Sequence, residues 1–532
     1  MLEASFKKNW DCAALSDFKG ITLHYRDVAR RIEKLHIIFN ICGVEKGDRI
    51  AICSRNQANW GVVFLACLTY GAVPVPILHE FKPGNVHYIV NHSDSRVLFV
   101  GDMVWENLNG SEMPNLEAII LINDFSLVSS KREQITETRE RLNEMFGKKY
   151  PKSFGPSDIN YYQEESGDEL AMINYTSGTS GFSKGVMIPY RALLSNVLFG
   201  QEVMPHMNNK SNVVSMLPTA HMYGMMFEFL FEMTLGAHVH FLTRVPSPRI
   251  IMEAFAAIKP DVIISVPLVI EKIYKQKLQP ILNKMSMKVL LQLPFIDQLL
   301  EQKIKDELVK TFGGKFYEVI IGGAAFNREA DEFFNKIHFP YTVGYGMTEC
   351  APIISYAAWD KAKLFSCGKP APRMEIRIAS SDPRNIPGEI QVKGANVMLG
   401  YYKNEEATAE SFTEDGYLFI KGRCKSMILG PSGQNIYPEE IESAINNMPY
   451  VIESLVIDAD GKLVALVYPD MELAEKDGLD RDAVLKKMEE NIAAVNVDMP
   501  NYSKIAGVRL VPEEFEKTPK KSIKRYMYQQ NS

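Results

Sequence analysis

Residues 175–185 concentrate the side chains and backbone groups that bind phosphate. Lys184 supplies a positive charge there for phosphate oxygens. Glycine permits backbone conformations in which several N–H groups converge, and hydroxyl side chains add further donors. Six consecutive positions hold only hydroxyl residues and glycines: Thr176, Ser177, Gly178, Thr179, Ser180 and Gly181. We therefore predict a phosphate-binding loop.

The flanks of this loop separate it from an ordinary exposed loop. A Ser/Gly run on its own is most often solvent-exposed. Here the apolar residues 171–175 and 186–188 predict buried strands on both sides, which would hold the loop at both ends. P-loop NTPases need Gly-Lys-Ser/Thr at the end of their loop, whereas Ser183 precedes Lys184 and Gly185 follows it. A P-loop NTPase is therefore disfavoured.

The segment resembles the phosphate loop of the adenylate-forming superfamily, which includes acyl-CoA synthetases, nonribosomal-peptide adenylation domains and luciferases. Further motifs of the family follow in its order along nearly the whole chain, and the chain is similar to long-chain fatty-acid–CoA ligases. The resemblance implies an α/β fold with two domains. Residues 1–423 would form a large N-terminal domain of layered α/β sheets that binds ATP and the acyl group. Residues 424–532 would form a small, mobile α+β C-terminal domain.

Residues 341–349 read Tyr-Thr-Val-Gly-Tyr-Gly-Met-Thr-Glu and form the second strong motif. By resemblance, Tyr345 offers a face on which adenine stacks, and Thr348 offers a hydroxyl to the α-phosphate. Glu349 would be a hard oxygen ligand for Mg²⁺. Each residue type alone is more often structural, but together and in the family's order they predict function. The remaining implied ATP and AMP contacts are Gly323, Ala324, Ala325, Gly346, Met347 and Arg423.

His221 follows a predicted strand at residues 213–217. A lone histidine is more often a packed or surface residue, but this one resembles the family's histidine that faces the acyl and phosphate groups. The apolar residues after it predict a core helix, and the same helix borders the acyl pocket in the family. Met225, Met226 and Phe229 are therefore expected to serve both purposes. Their methionine-rich surroundings favour a fatty acyl substrate.

The region before the predicted hinge departs from the family pattern. Lys425 and Gly433 match the hinge, about which the small domain swings to admit coenzyme A. The family has a Thr-Gly-Asp motif shortly before the hinge, whose aspartate holds the ribose hydroxyls. Here that motif is missing, and Asp415 is the only aspartate nearby. We do not expect Asp415 to occupy the same place, so we predict weak ATP affinity.

A second departure lies near the C-terminus. Ser522 stands where the family has the lysine that reaches the substrate carboxylate and the α-phosphate during adenylation. Lys521 and Lys524 flank it. If the segment is extended, Lys524 shares a face with Ser522 and would substitute. If it is irregular, Lys521 would.

The resemblance implies two half-reactions. A carboxylic acid, by this reading a medium- or long-chain fatty acid, attacks the α-phosphorus of Mg-ATP and gives acyl-adenylate and pyrophosphate. The thiol of coenzyme A then displaces AMP and gives acyl-CoA. The implied ligands are ATP, Mg²⁺ and coenzyme A, and the implied catalytic residues are Lys184, His221, Thr348, Glu349, Lys521 and Lys524. The alternative is a degenerate member that binds nucleotide and acyl group but has lost or weakened the adenylation half-reaction.

The elements that must position these residues follow from the order of apolar segments. Helices predicted at 25–41, 60–70 and 85–91 alternate with strands predicted at 49–53, 73–77 and 96–100. Such alternation is typical of layered α/β domains with largely parallel sheets. Near the C-terminus, residues 454–468 predict a β-hairpin and residues 484–495 carry a helical apolar stripe.

Composition limits the function classes. A chain of 532 residues is too long for one core, and its net charge of −6 gives no general reason to expect nucleic acid. Seven cysteines without a C-x-x-C pair argue for a reducing compartment and against structural zinc.

The uncharged stretch 61–78 is interrupted by Gly71, Pro74 and Pro76, so no transmembrane segment is expected. We predict a cytoplasmic protein. The lysine-rich stretch 280–311 leaves peripheral membrane contact open.

Overall fold

The computed structural model divides the chain into two compact units. Its described residues up to 419 form the large unit, and those from 428 onward form the small unit. The predicted boundary between residues 423 and 424 lies outside the described residues. The structure describes residues 1–176, 183–244, 246–274, 296–384, 386, 388–419, 428–429, 435–436, 438–459, 461–499, 503–517 and 523–528.

A five-stranded sheet opens the large unit. Its strands in spatial order are Val73–Ile77, Arg49–Cys53, Val97–Val100, Ala118–Leu121 and Leu127–Ser130. The first four run parallel and the last is antiparallel. Intervening helices are Tyr25–Ile41, Ala58–Tyr70 and Pro83–His92. These elements match the predicted alternation. Helices cover both faces of a parallel sheet, so its strands are apolar throughout and can be recognised in the sequence.

The second sheet contains the predicted strand 213–217, which is observed at Asn212–Ser215, and three strands that the sequence analysis did not predict. Its order is Asn212–Ser215, His238–Phe241, Ala13–Asp17 and Thr22–His24. The first three strands are parallel, and Thr22–His24 is antiparallel to Ala13–Asp17. This sheet joins residues near the N-terminus to a region more than two hundred positions along the chain.

The third sheet consists of three parallel strands: Ile263–Ser265, Val319–Ile321 and Tyr341–Val343. Its helices are Pro248–Ile258, Pro267–Ile273, Ile296–Thr311 and Arg328–Lys336. Phe255, Phe312 and Phe334 lie in the core between these helices and the sheet and are each 1% exposed. The part of the predicted 280–311 helix before residue 296 lies outside the described residues.

Short antiparallel strands complete the large unit. One group pairs Lys184–Pro189 with both Leu170–Thr176 and Gly400–Tyr401. A second group contains Tyr345–Gly346, Ile353–Tyr356 and Lys369–Pro370, and a third contains Met374–Ala379, Glu389–Gly394 and Leu418–Phe419. The first two groups carry residues of the predicted site.

The remaining helices of the large unit are short, apart from Tyr190–Val203. They are Leu2–Lys8, Asp102–Trp105, Gly110–Glu112, Glu133–Glu140, Leu142–Lys149, Pro156–Asp158, Met222–Met225, Met226–Leu230, Phe231–Leu235, Thr348–Cys350 and Glu405–Ala409. In the part of the chain that the structure describes, no helix combines the length and the apolar character needed to cross a membrane.

The small unit contains a three-stranded sheet. Its strands are Val451–Ala459, Lys462–Pro469 and Ile505–Leu510, of which the first two form the predicted antiparallel hairpin. The helix Arg481–Asp498 packs its apolar stripe on this sheet, with Val484 and Met488 buried. The other elements of the unit are Ile428–Leu429, Asn435–Ile436, Pro438–Asn446, Met471–Lys476 and Arg525–Met527.

Candidate nucleotide-binding site

Two of the predicted binding segments meet at the carboxyl edge of the third sheet. In parallel sheets, ligands bind beyond the carboxyl ends of the strands. Gly322 directly follows one strand, and its N–H donates to the Ser265 oxygen at 3.0 Å. Gly344 follows the neighbouring strand, and its N–H donates to the Ile321 oxygen at 2.8 Å. The predicted nucleotide contacts Gly323, Ala324 and Ala325, which form the adenine turn, are therefore adjacent to the 345–349 motif.

The adenine turn presents an open backbone. Gly323, Ala324 and Ala325 are exposed, whereas Gly322 before them is buried. Gly323 has φ of +86°, in the left-handed region that glycine adopts without strain. Phe326, the next residue, stacks on Phe334 in the core. Phe326 thus packs the turn against the core, while the backbone of residues 323–325 stays exposed and could contact a flat ring.

The 345–349 motif is shaped by its pairing with Ile353–Tyr356. Tyr345 lies opposite Ser355, and Gly346 lies opposite Ile353. A Cβ atom on Gly346 would lie 2.2 Å from the Pro352 oxygen, so only glycine fits there. Thr348 is buried and Glu349 is half-buried in the short helix that follows.

Lys184 and Glu349 converge on Tyr401. The Lys184 Nζ lies 4.9 Å from the centre of the Tyr401 ring, a cation–π contact. The Tyr401 hydroxyl donates to Glu349 Oε1 at 3.0 Å. Burial, followed by the charge of Glu349, raises the pKa of Tyr401, so its hydroxyl keeps its proton. Among the described residues, Lys184 has no carboxylate within ion-pair distance.

His221 belongs to a loop that two buried asparagines hold in place. The Asn56 side chain donates to the Leu217 oxygen at 2.6 Å and accepts from the Thr219 N–H at 2.9 Å. Asn174 donates to the Ala220 oxygen at 2.9 Å. Asn174 lies two positions before Thr176, so it links the His221 loop to the strand that enters the phosphate loop.

The sequence analysis missed both asparagines. Asn174 carried a signal, because an amide side chain within the apolar strand 171–175 needs a buried hydrogen-bond partner. Asn56 carried none, since its partners are more than 160 positions away.

The helical segment after His221 is part of the core. His221 caps it through Nδ1, which accepts from the Tyr223 N–H at 3.3 Å. The Tyr223 hydroxyl donates to the Ile320 oxygen at 3.0 Å, directly before the adenine turn. Met225, Met226 and Phe229 are each 0% exposed. The core-helix prediction therefore agrees with the structure, and the acyl-pocket role of these three residues stays a prediction.

Glu228 is a buried carboxyl group on the same segment. Its Oε2 accepts from the Leu217 N–H at 2.9 Å, and burial raises the pKa of the group well above its ordinary value. Glu228 therefore binds the N–H of the same residue whose oxygen Asn56 binds.

Several predicted residues lie outside the described part of the chain. Thr176 ends the strand that enters the phosphate loop, opposite Lys184. The predicted residues outside the described part are Ser177, Gly178, Thr179, Ser180, Gly181, Arg423, Lys425, Gly433 and Lys521, together with Ser522.

Lys524 is described and is engaged within the small unit. Its Nζ lies 3.2 Å from Glu516 Oε2, and its N–H donates to the Glu516 oxygen at 2.8 Å. The next residue, Arg525, donates to both carboxylate oxygens of Glu442, at 2.7 and 2.8 Å. These contacts hold Lys524 and Arg525 against the rest of the small unit.

Asp415 is also engaged. Its carboxylate accepts two hydrogen bonds from Arg377, at 2.6 and 3.0 Å, and one from the Thr413 hydroxyl at 2.6 Å. Arg377 and Thr413 lower the pKa of Asp415 to about 2. The Asp415 carboxylate is therefore ionised and paired with the Arg377 guanidinium.

The donor set fits a magnesium ion that arrives with ATP. The described residues contain no group of three or more His, Cys, Asp or Glu side chains that could hold a metal by themselves. Mg²⁺ at nucleotide sites is instead held by one or two carboxylates together with phosphate oxygens and water. Glu349, half-buried and bound to the Tyr401 hydroxyl, is the candidate carboxylate.

The chain matches two family models. The model described as AMP-binding enzyme covers residues 2–402, and that described as AMP-binding enzyme C-terminal domain covers residues 425–531. Among curated proteins, it is 28% identical to Long chain acyl-CoA synthetase 6, peroxisomal, of Arabidopsis thaliana, over 86% of this chain and 70% of that protein. It is 26% identical to Long-chain-fatty-acid--CoA ligase FadD15 of Mycobacterium bovis, over 91% of this chain and 86% of that protein.

Solved structures share the fold. ATP-bound MatB from Rhodopseudomonas palustris superposes with a TM-score of 0.74 at 20% identity, covering 100% of this chain and 99% of that one. O-succinylbenzoate Coenzyme A Synthetase (MenE) from Bacillus subtilis, in complex with AMP, has a TM-score of 0.72 at 19% identity, covering 100% and 98%. The predicted α/β fold is confirmed. With a family model that spans residues 2–402, the chain belongs to the family of AMP-binding enzymes.

Proposed function

We propose that the protein is an AMP-forming acid–thiol ligase that activates a long-chain fatty acid and transfers it to coenzyme A. The observation that carries this proposal is that Lys184 and Glu349 both contact Tyr401, while the motif of Glu349 follows the strand next to the one that enters the adenine turn. The names of its relatives, long-chain acyl-CoA synthetases and ligases aligned over most of their length, support the same substrate class.

The site residues match the electrostatic problem of the first half-reaction. A fatty-acid carboxylate must approach an α-phosphate that is itself negative, so catalysis consists mainly of charge neutralisation and positioning. Lys184 brings a cation without a carboxylate partner among the described residues, and Thr348 brings a hydroxyl for the α-phosphate. Mg²⁺, when held by Glu349 and the phosphates, would neutralise part of the charge that develops on them.

The second half-reaction uses the adenylate made by the first. A carboxylate is a poor electrophile, whereas AMP is a good leaving group. The thiol of coenzyme A therefore attacks the acyl carbon of the adenylate, the acyl–phosphate bond breaks, and AMP departs. We expect His221, whose loop is held by Asn56 and Asn174, to face the acyl and phosphate groups.

The cysteines support the proposed location. Six described cysteines are unpaired, and four of them are buried. Burial raises the pKa of the Cys53 thiol to about 12 and that of Cys67 well above its ordinary value, so these groups stay protonated and pack as small apolar side chains. This usage favours a reducing compartment such as the cytoplasm.

A panel of carboxylic acids of graded chain length tests the function. ATP–pyrophosphate exchange reports the first half-reaction, and thioester formation reports the second. We expect both activities with long-chain fatty acids and neither with short acids. If no acid gives exchange although ATP binds, the degenerate binder is the correct alternative.

A further inference from the structure

Tyr401 contacts both charged side chains of the candidate site. Its ring lies beneath the Lys184 Nζ, and its hydroxyl donates to Glu349. Both contacts come from a neutral side chain. Because Tyr401 is neutral, its contacts do not neutralise the charge of Lys184 or that of Glu349. Both charges therefore remain available to a ligand.

Strand register creates this arrangement. Tyr401 lies directly opposite Val186 in an antiparallel pair. Lys184, two positions before Val186, shares its face of the strand and is a diagonal neighbour of Tyr401, within reach of an aromatic ring.

Glu349 reaches the same ring from a different segment. Its backbone oxygen accepts from the Met398 N–H at 2.9 Å, three positions before Tyr401. The side chain of Glu349 is thereby brought to the end of the Tyr401 ring, where the hydroxyl is.

Without the ring, the two charges would be free to pair. A lysine side chain is long and flexible, and a half-buried carboxylate nearby is its natural partner. Such a pair would have to be broken before phosphate oxygens could bind Lys184 or a cation could bind Glu349. The described structure has no ion pair between these two residues.

We propose that Tyr401 is a positioning residue of the Mg-ATP site, which keeps Lys184 and Glu349 apart and uncompensated until the ligand enters between them. The identity of the ligand as Mg-ATP rests on the proposed function. The role of Tyr401 lies in the ring contact and the hydroxyl contact, which can be removed separately.

Nucleotide binding, measured by calorimetry without any acid or coenzyme A, tests the two contacts. Tyr401→Phe keeps the ring and removes the hydrogen bond to Glu349. It should weaken Mg-ATP binding about tenfold, the usual effect of one hydrogen bond to a charged group, and leave binding of ATP in EDTA unchanged. Tyr401→Leu removes the ring as well and should weaken binding of ATP in EDTA too.

A second substitution separates positioning from packing. In the Tyr401→Leu background, Glu349→Gln removes the carboxylate that would trap Lys184. It should therefore restore the affinity for ATP in EDTA. Damage to packing would not be repaired in this way, so failure of the rescue would overturn the proposal.

Tyr417 provides a matched control. Its hydroxyl donates to Glu375 at 2.9 Å, and the Arg377 guanidinium lies 3.9 Å from its ring centre. Tyr417→Phe should bind Mg-ATP like the wild type. An equal loss in Tyr401→Phe and Tyr417→Phe, or no loss in Tyr401→Phe, would contradict the proposal.

The same measurements distinguish this inference from the proposed function. If the wild type binds Mg-ATP but activates no acid, the function is wrong and the Tyr401 comparison still holds. If the wild type is an active ligase and Tyr401→Phe binds Mg-ATP normally, only the inference fails.

Discussion

Glu349 and Lys184 have opposite charges, and both contact Tyr401. A bound nucleoside triphosphate needs a cation for its phosphate oxygens, which Lys184 would provide, and a carboxylate for its Mg²⁺, which Glu349 would provide. We expect Glu349→Gln to lower acid-dependent pyrophosphate exchange about 10²–10³-fold, as for other preorganised electrostatic contacts. Glu375→Gln, which removes a carboxylate bound to another tyrosine, is the control and should keep wild-type exchange. Near-normal exchange in Glu349→Gln would exclude a role for its charge.

Asp415 gives a prediction about ribose recognition. Its carboxylate is bound by Arg377 and Thr413, so it is not expected to hold the ribose hydroxyls. Asp415→Asn should leave ATP affinity unchanged, and 2′-deoxy-ATP should bind as well as ATP in equilibrium titrations. Much weaker binding of 2′-deoxy-ATP would show that another group holds the ribose.

At the residue scale, the sequence indicated candidate residues but not the contacts between them. Lys184, Tyr345 and Glu349 are candidates because their types suit phosphate, adenine and Mg²⁺ and follow the family's order, and their roles stay predictions. Tyr401 was assigned no role. Its contact with Lys184 depends on the pairing of Val186 with a strand more than two hundred positions later, which side-chain type does not reveal.

At the element scale, the strand His238–Phe241 carries a pair of histidines that should make stability depend on pH. Burial lowers the pKa of His238 to about 4 and that of His240 to about 3, from an ordinary value near 6.5. The unfolded chain therefore binds more protons than the folded chain between about pH 4 and pH 6.5. The stability that these neutral histidines contribute is complete above pH 6.5 and is lost as the pH falls.

Chemical denaturation at pH 5 and pH 7 measures this effect. The free energy of unfolding should be lower at pH 5, and His240→Gln should reduce the difference between the two values. Gln can still donate to Asn212, the partner of His240 at 3.0 Å. His338→Asn, at an exposed position, is the control and should leave the difference unchanged. An unaltered pH dependence in His240→Gln would show that other groups cause it.

Local pattern predicted elements well where helices and strands alternate in sequence. The strands 49–53 and 73–77 appear with the predicted bounds, because apolar runs between helices are typical of parallel strands. Ala13–Asp17 and His238–Phe241 were missed. Each is short and contains polar residues, and the two strands pair across more than two hundred positions, so their own sequence does not mark them.

For the whole molecule, the prediction is that Lys521 or Lys524 supplies the positive charge that Ser522 cannot supply. Adenylation needs a cation beside the attacking carboxylate, because two anionic groups must approach each other. Lys517 and Ile523 form an antiparallel bridge, and Lys524 is bound to Glu516 beyond it. The extended case, in which Lys524 would substitute, would require Lys524 to leave this partner. Lys521 lies between the two bridge positions, outside the described residues.

We therefore expect Lys521→Ala to lower pyrophosphate exchange strongly and Lys524→Ala to lower it little. Both variants should form thioester from pre-made acyl-adenylate at the wild-type rate, because the family's lysine has moved away by that step. Equal, wild-type exchange in both would show that neither lysine replaces the missing one. If the wild type lacks exchange and Ser522→Lys restores it, the protein is the degenerate family member that has lost the adenylation half-reaction. Loss of exchange in Lys524→Ala alone would mean that Lys524 exchanges Glu516 for the substrate during the reaction, and the extended case would then be the right one.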